Sequence, residues 1–431
     1  MAEPDLSDLL TTSLAEKLGD VEVEGLTLLT GGASRETWSF DAVDRDGERT
    51  PLILQRNRGG GSLGDTSFAV EDCLLAAAWS AGVPIPEVVV DATGSAALGQ
   101  ARITRRIDGE SLGKKIVRGD RFASARKLLP TQMGAALAAI HKIPLDDLDG
   151  LPEVDVISQI RFGLDGLSVV SPAFELALQW LEDNRCASAR RTVVHGDFRI
   201  GNLLVDDSGL VAVLDWELAH IGDPIEDLGW LCVRAWRFGG DGVVGGIGDL
   251  EDLLRSYREA SGEEVSEEQV RWWIVAGTLR WGMICALQAS RHLGGHVKSV
   301  ELATIGRRIA ENEHDTLDLL GIPAHPDGQP LPVVDHGASS ALALVAAVRE
   351  QLADRVMPKL SGGDAYTVRV AANALAMVER ELSAAPPPPI DVDEIELARR
   401  IRGGERISES DVAAVRAAVE ARLAVANPRW S

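Results

Sequence analysis

Three oxygen-bearing side chains stand at a spacing that suits phosphoryl transfer: Asp197 in His195-Gly-Asp197, Asn202 five residues later, and Asp215 at the end of an apolar run. A carboxylate beside an acceptor hydroxyl can take its proton, while an amide oxygen and a second carboxylate hold magnesium across nucleotide phosphates. Asp197, Asn202 and Asp215 fit those roles in that order. Aspartates also cap turns, so the reading rests on the coincidence of the asparagine spacing with the following aspartate. His195 is expected to organise its loop, and Asp223 and Asp227 to order theirs by accepting backbone N–H groups.

The elements around these residues must hold them. Two short apolar runs, 191–205 and 210–215, are joined by Asp-Asp-Ser-Gly and read as a hairpin with polar residues at its ends. Helical spacing surrounds it, from Leu129 to His141, Pro172 to Leu181 and Val270 to Leu293. Upstream, apolar spacing predicts a helix over 5–18, a strand over 21–29, a further strand to Phe40, a third at 52–54, a helix over 68–79 and a strand ending at Val90. That order describes a small mixed lobe preceding a mainly helical one. Residues 321–339 carry proline, glycine and aspartate without a sustained period, and helical stretches at 341–352, 365–382 and 410–424 follow.

In wording, the blocks His195-Gly-Asp197-Phe-Arg-Ile-Gly-Asn202, Leu214-Asp215-Trp-Glu217 and Gly222-Asp-Pro-Ile-Glu-Asp227 resemble the aminoglycoside phosphotransferase family, and within it the branch found fused to acyl-CoA dehydrogenases. The resemblance implies an α+β chain with a two-lobed protein-kinase-like fold and an additional all-helical C-terminal domain. The expected divisions are 1–107 (nucleotide-binding lobe), 108–322 (catalytic lobe), 323–340 (linker) and 341–431 (helical appendix of unknown role). It also implies ATP and Mg2+ as cofactors between the lobes, a small-molecule hydroxyl as acceptor, Asp197 as base, and Asn202 and Asp215 as metal ligands.

Other positions follow from that frame. Gly31 and Gly32 would let backbone amides approach phosphates, with Ser34 and Arg35 as neighbours, although a plain hairpin turn explains the glycines equally well. The resemblance asks for a basic residue on the third strand paired with a helix glutamate. Here Gln55 stands at that place and Arg56 follows, so Arg56 can serve only if the strand bends, because adjacent strand residues face opposite sides. Glu71 matches the helix partner. Backbone contacts to adenine are expected near the lobe connection, at Arg105 and Ile107. Arg199, Glu217, Lys114 and Lys115 are candidates for meeting the acceptor, and Trp230, Trp236, Trp272, Trp273 and Trp281 either line its groove or fill the core.

The formal net charge is −23 and the isoelectric point about 4.8, a balance that repels nucleic acid and anionic membranes. Four scattered cysteines give neither a disulfide framework nor a zinc site. With no apolar run long enough to span a bilayer, a cytoplasmic chain is expected. Within this acidic chain, residues 102–127 hold nine basic residues against three acids. Either they form a solvated face, or part of the patch receives an anionic portion of the acceptor such as a coenzyme A phosphate. The resemblance to the dehydrogenase-fused branch implies a hydroxylated acid or hydroxyacyl-CoA as acceptor. The alternatives are an aminoglycoside or amino alcohol, and a nucleotide-binding pseudokinase or scaffold in which Gln55 marks lost activity. The oligomeric state is left open.

Overall fold

The computed structural model describes residues 5–29, 35–57, 67–92, 94, 98–146, 148–167, 169, 171–186, 190–322 and 339–383, together with Ser408, Ser410 and Val425. Two compact units divide the chain: Met1–Phe162, Ser171–Arg280 and Asp315–Pro323 make one; Gly163–Val170, Trp281–His314 and Ala324–Ser431 make the other.

The first unit begins with α1 (Leu6–Leu18), ended by Gly19 at φ 74°. Strands β1 (Val21–Leu29), β2 (Arg35–Asp44) and β3 (Arg49–Asn57) run antiparallel, α2 (Phe68–Ser80) follows, and β4 (Val88–Val90) and β5 (Ala101–Arg105) complete a five-stranded sheet of order β1-β2-β3-β5-β4. Alternate side chains of the sheet face α1. Leu10 and Leu14 of that helix meet Phe40, Ala42, Leu52, Leu54, Val90, Ala101 and Ile103 in one buried cluster. Ser67 caps α2 by accepting the Val70 N–H.

After β5 the chain crosses into the helical lobe, where Glu110 exchanges backbone hydrogen bonds with Val205 at 2.9 and 3.0 Å. The helices α3 (Gly113–Arg118), α4 (Ala125–Ile140), α5 (Val156–Gly166) and α6 (Pro172–Asp183) follow. Two small sheets then carry the motif loops. β6 (Thr192–Val194) pairs with β9 (His220–Gly222), and β7 (Leu203–Asp206) pairs with β8 (Gly209–Val213) as the expected hairpin. The loop 195–202 leaves β6 and the loop 214–219 enters β9, so the two pairings bring both loops side by side. Behind them lie α7 (Ile225–Cys232), α8 (Leu250–Ser261) and α9 (Glu267–Leu293), with α4 packed on α8 where Gly134 admits the Leu253 carbonyl.

In the second unit, α10 (Val300–Ile305) and α11 (Ile309–Leu319, whose last turns belong to the first unit) precede α12 (Ala341–Glu350) and α13 (Gly362–Ser383). α12 and α13 pack together and are joined by Arg349 and Glu379 at 2.5 Å. Of the expected linker 323–340 only Ser339 and Ser340 are described, and the helix expected at 410–424 lies outside the described residues apart from Ser410. Among the described residues no helix is long and apolar enough to cross a membrane. The architecture is the expected kinase-like α+β fold with a helical C-terminal region.

Candidate active site

The loop after β6 is built around a buried acid. Asp227, fully buried in the first turn of α7, accepts the N–H groups of His195 at 2.8 Å and Gly196 at 2.9 Å. Its Oδ2 also lies 3.2 Å from His141 Nε2, whose ring holds Tyr257 Oη at 2.9 Å through the other nitrogen. Burial opposes the Asp227 charge, yet the His141 bond and the donors around it win and hold its pKa below the ordinary carboxylate range. Gly196 sits at φ 77°, where a Cβ would come within 2.3 Å of the Leu218 carbonyl oxygen, so only glycine fits. His195 accepts the Asp197 N–H at Nδ1 (3.2 Å) and therefore donates from Nε2 to the Leu214 carbonyl (3.0 Å). Complete burial pushes its pKa down and keeps it neutral. It ties the Asp197 loop to the chain just before Asp215.

Asp197 itself is half-buried and takes three side-chain donors. Trp230 Nε1 (2.8 Å) and Arg199 Nε (3.0 Å) meet Oδ1, and Asn202 Nδ2 (2.6 Å) meets Oδ2. These fix the carboxylate in place. The Arg199 guanidinium lies 4.7 Å over the Trp236 ring, which is tilted against Trp230 at 5.2 Å. On the other side of Trp230, Arg280 of α9 stands 5.1 Å from the ring and donates to the Gly196 carbonyl (3.1 Å) and to Glu226 (2.8 Å). Glu226 also meets His220 Nε2 at 3.2 Å.

Asn202 joins the two loops, since its carbonyl accepts the Leu214 N–H at 2.8 Å. Its side-chain nitrogen is committed to Asp197, which leaves the amide oxygen as the group it can offer a cation. Asp215 follows immediately, in the left-handed region at φ 65°. Its carboxylate is reachable by solvent but sunk among protein atoms. That surrounding protein first, and then the charges of Glu217 and Asp197, raise its pKa to about 7. An oxygen pair of this kind suits a hard divalent cation, whose charge would relieve the crowding of acids.

From the upper lobe, α2 contributes Glu71, buried between two guanidinium groups: Arg35 at 2.7 Å and Arg102 of β5 at 2.7 Å. Arg102 also meets Asp72 at 3.2 Å. Arg35 Nε lies 3.7 Å from Glu217. The expectation that Arg56 partners Glu71 is corrected: Arg56 Nε bonds Glu36 across the β2–β3 pair at 2.7 Å, because the strand alternation sends residue 56 to the opposite face from residue 55. Gly31, Gly32 and Ser34 lie outside the described residues.

The remaining candidates spread outward. Arg105 pairs with Glu87 at 3.3 Å and gives its backbone N–H to the Glu87 carbonyl, while Ile107 is half-buried in the lobe connection. Lys115 pairs with Glu110 at 2.9 Å, and Lys114 is exposed on α3. Much of the basic run 102–127 is engaged by partners within the chain, some of them at the surface: Arg106 meets Asp41, Arg118 the Gly239 carbonyl, Arg121 Asp207, and Arg126 the carbonyls of Ile116 and Gly119. The tryptophans divide likewise. Trp272 and Trp273 are core, with Trp272 Nε1 on the Leu181 carbonyl, whereas Trp230 reaches Asp197. Reasoning from sequence did not assign Trp230 to the base, nor find Arg280 or Arg102. The available signal was an arginine inside an apolar helix and another inside an apolar strand, positions that demand a buried counter-charge.

Comparison with known proteins places these features. Residues 25–273 match the model of the phosphotransferase enzyme family, and residues 358–430 match a domain of unknown function. Acyl-CoA dehydrogenase family member 10 of Mus musculus is 29% identical over 216 residues, covering 47% of this chain and 20% of that protein. Family member 11 of Pongo abelii is 23% identical over 319 residues, covering 65% and 40%. The chain thus spans under half the length of either relative. A crystal structure from Ralstonia eutropha, provisionally assigned as an aminoglycoside phosphotransferase, superimposes with a TM-score of 0.57 at 19% identity over 73% of this chain and 98% of that one, a likeness of fold. With the family pattern running through more than half of its length, this chain belongs to the phosphotransferase enzyme family.

Proposed function

We propose that the protein is a cytoplasmic Mg2+- and ATP-dependent kinase that phosphorylates a hydroxyl of a small molecule, with a hydroxylated acid or hydroxyacyl-CoA as the acceptor class. The observation that carries the reading is the meeting of Asp197, Asn202 and Asp215, held in register by the Asn202–Asp197 bond of 2.6 Å and the Leu214–Asn202 backbone bond of 2.8 Å. Asp197 orients the acceptor hydroxyl and takes its proton as the bond to phosphorus forms. Trp230 and Arg199 keep its carboxylate aimed. Asn202 and Asp215 are the residues that would hold magnesium, which when bound would spread the charge of the transferring phosphoryl group. Arg199 supplies positive charge beside the base, where an anionic acceptor would gain most; exposed Lys114 supports the same preference from α3. Similarity to the acyl-CoA dehydrogenase family members favours an acyl acceptor over an amino sugar.

The test is incubation of the purified protein with Mg–ATP and a metabolite extract, with mass spectrometry of the products. A metabolite heavier by one phosphate, absent with Asp197→Ala, is the expected result. Nucleotide binding without turnover against any fraction would instead support a binding-only protein.

A further inference from the structure

The cation paired with the α2 glutamate stands on β2 and not on the third strand, where the family resemblance asks for it. Arg35 opens β2, and its guanidinium is buried, 7% exposed as a residue, between Glu71 of α2 and Glu217 of the lower lobe. The Phe68 ring lies beneath it at 4.3 Å. On β3, the register point opposite Arg102 and Thr37 holds the neutral Gln55, and Arg56 is spent on Glu36. Arg102, 1% exposed, meets the Glu71 oxygen that Arg35 does not take. A charged residue at 55 would add a third cation around one carboxylate. A neutral amide suits the two already there.

The surroundings of Asp215 are acidic: the charges of Glu217, Asp197 and Glu71 all act on it. A polyphosphate approaching the Asp215 side would meet uncompensated repulsion unless a cation faces it along with the metal. Among the described residues of the upper lobe, Arg35 is the cation that reaches the lower lobe's Asp215 loop, through Glu217. Its contacts use two of the three guanidinium nitrogens, Nη2 toward Glu71 and Nε toward Glu217, and the planar fork has further donors to offer.

We infer that Arg35 is the residue that receives the polyphosphate of the donor nucleotide, an inference that rests on the kinase reading above. In this arrangement Glu71 and Phe68 hold the guanidinium, and Arg102 holds Glu71. The charge has moved from β3 to the start of β2, and Gln55 is its consequence rather than a sign of a dead site.

Calorimetric titration with Mg–AMP-PNP and, separately, with adenosine tests this on the full chain. Arg35→Gln is expected to weaken Mg–AMP-PNP by about 10- to 100-fold, the loss of a charge-assisted contact, while adenosine affinity stays within about twofold. Arg35→Lys should fall between, and Arg56→Gln should match the wild type. The double variant Arg35→Gln with Gln55→Arg should recover much of the loss, since position 55 shares the face of Arg102, and it keeps the test open if Arg35→Gln alone folds poorly. Equal weakening of both ligands by Arg35→Gln would make Arg35 a structural residue and overturn the inference. Unchanged Mg–AMP-PNP binding by Arg35→Gln would overturn it while leaving the kinase reading intact. A wild-type protein that binds neither ligand would overturn both.

Discussion

Asp227→Asn should unfasten the catalytic loop at a cost that the geometry sets. The wild-type carboxylate takes two backbone N–H groups, at 2.8 and 2.9 Å, while fully buried. An amide keeps one oxygen for one of them and turns an NH2 group toward the other donor. One charge-assisted bond, roughly 1.5–3 kcal/mol, is then lost and its N–H is left buried without a partner, roughly 1–3 kcal/mol more. Removing a buried charge returns part of this, so about 3–5 kcal/mol is expected, or about 5–8 °C in Tm for a unit of this size. Thermal unfolding followed by circular dichroism reads the total, and hydrogen exchange at the amides of His195 and Gly196 reads the location. The pH dependence has a definite sign. Because the folded pKa of Asp227 is lowered, its contribution is present above the ordinary carboxylate pKa and is lost as pH falls through the folded value. The wild-type advantage over the variant should therefore shrink on acidification. A Tm within about 2 °C of wild type, with both amides still protected, would refute the anchoring role.

Further outcomes follow from the same geometry. Asp197→Asn should lower phosphoryl transfer by about 10²- to 10⁴-fold, with the thermal shift produced by Mg–AMP-PNP largely kept; ADP release and a melting assay check the two halves. Asp215 has a raised pKa of about 7, so its proton is favoured by the fold below that pH and its charge becomes a burden above it. Mg2+ replaces that proton, so the Tm gain on adding Mg2+ should be larger at pH 8 than at pH 6, and Asp215→Asn should flatten the difference. Lys114→Glu combined with Lys115→Glu should raise the acceptor KM and leave that of ATP nearly unchanged; steady-state kinetics that show an unchanged acceptor KM would remove α3 from the acceptor site.

The sequence was legible where function and neighbourhood in the chain coincide. Asp197, Asn202 and Asp215 sit on two loops that flank one short hairpin, so a fixed spacing encodes their neighbourhood, and β1, α2 and the 203–213 hairpin follow directly from apolar spacing. Legibility failed where a partner comes from across a sheet or from a distant helix. The family resemblance asked for a basic residue beside Glu71, but which strand supplies it depends on which side chains share a face. Arg35, Arg102 and Arg56 were equally available in the sequence, and only the register separates the two that reach Glu71 from the one that meets Glu36. Arg280 reaches Gly196 across 84 residues of chain, a distance over which no motif spacing holds.

The arginines that did not belong to any motif share one physical circumstance. Arg102 and Arg280 are each nearly inaccessible, and each ends on a glutamate that has a second cationic or imidazole partner: Glu71 with Arg35, and Glu226 with His220. A buried carboxylate with two such partners cannot swing toward either without losing the other, so its position is fixed more tightly than a single pair could fix it. Glu71 thereby holds the upper-lobe cation, and Glu226 with Arg280 holds the Gly196 carbonyl next to Asp197.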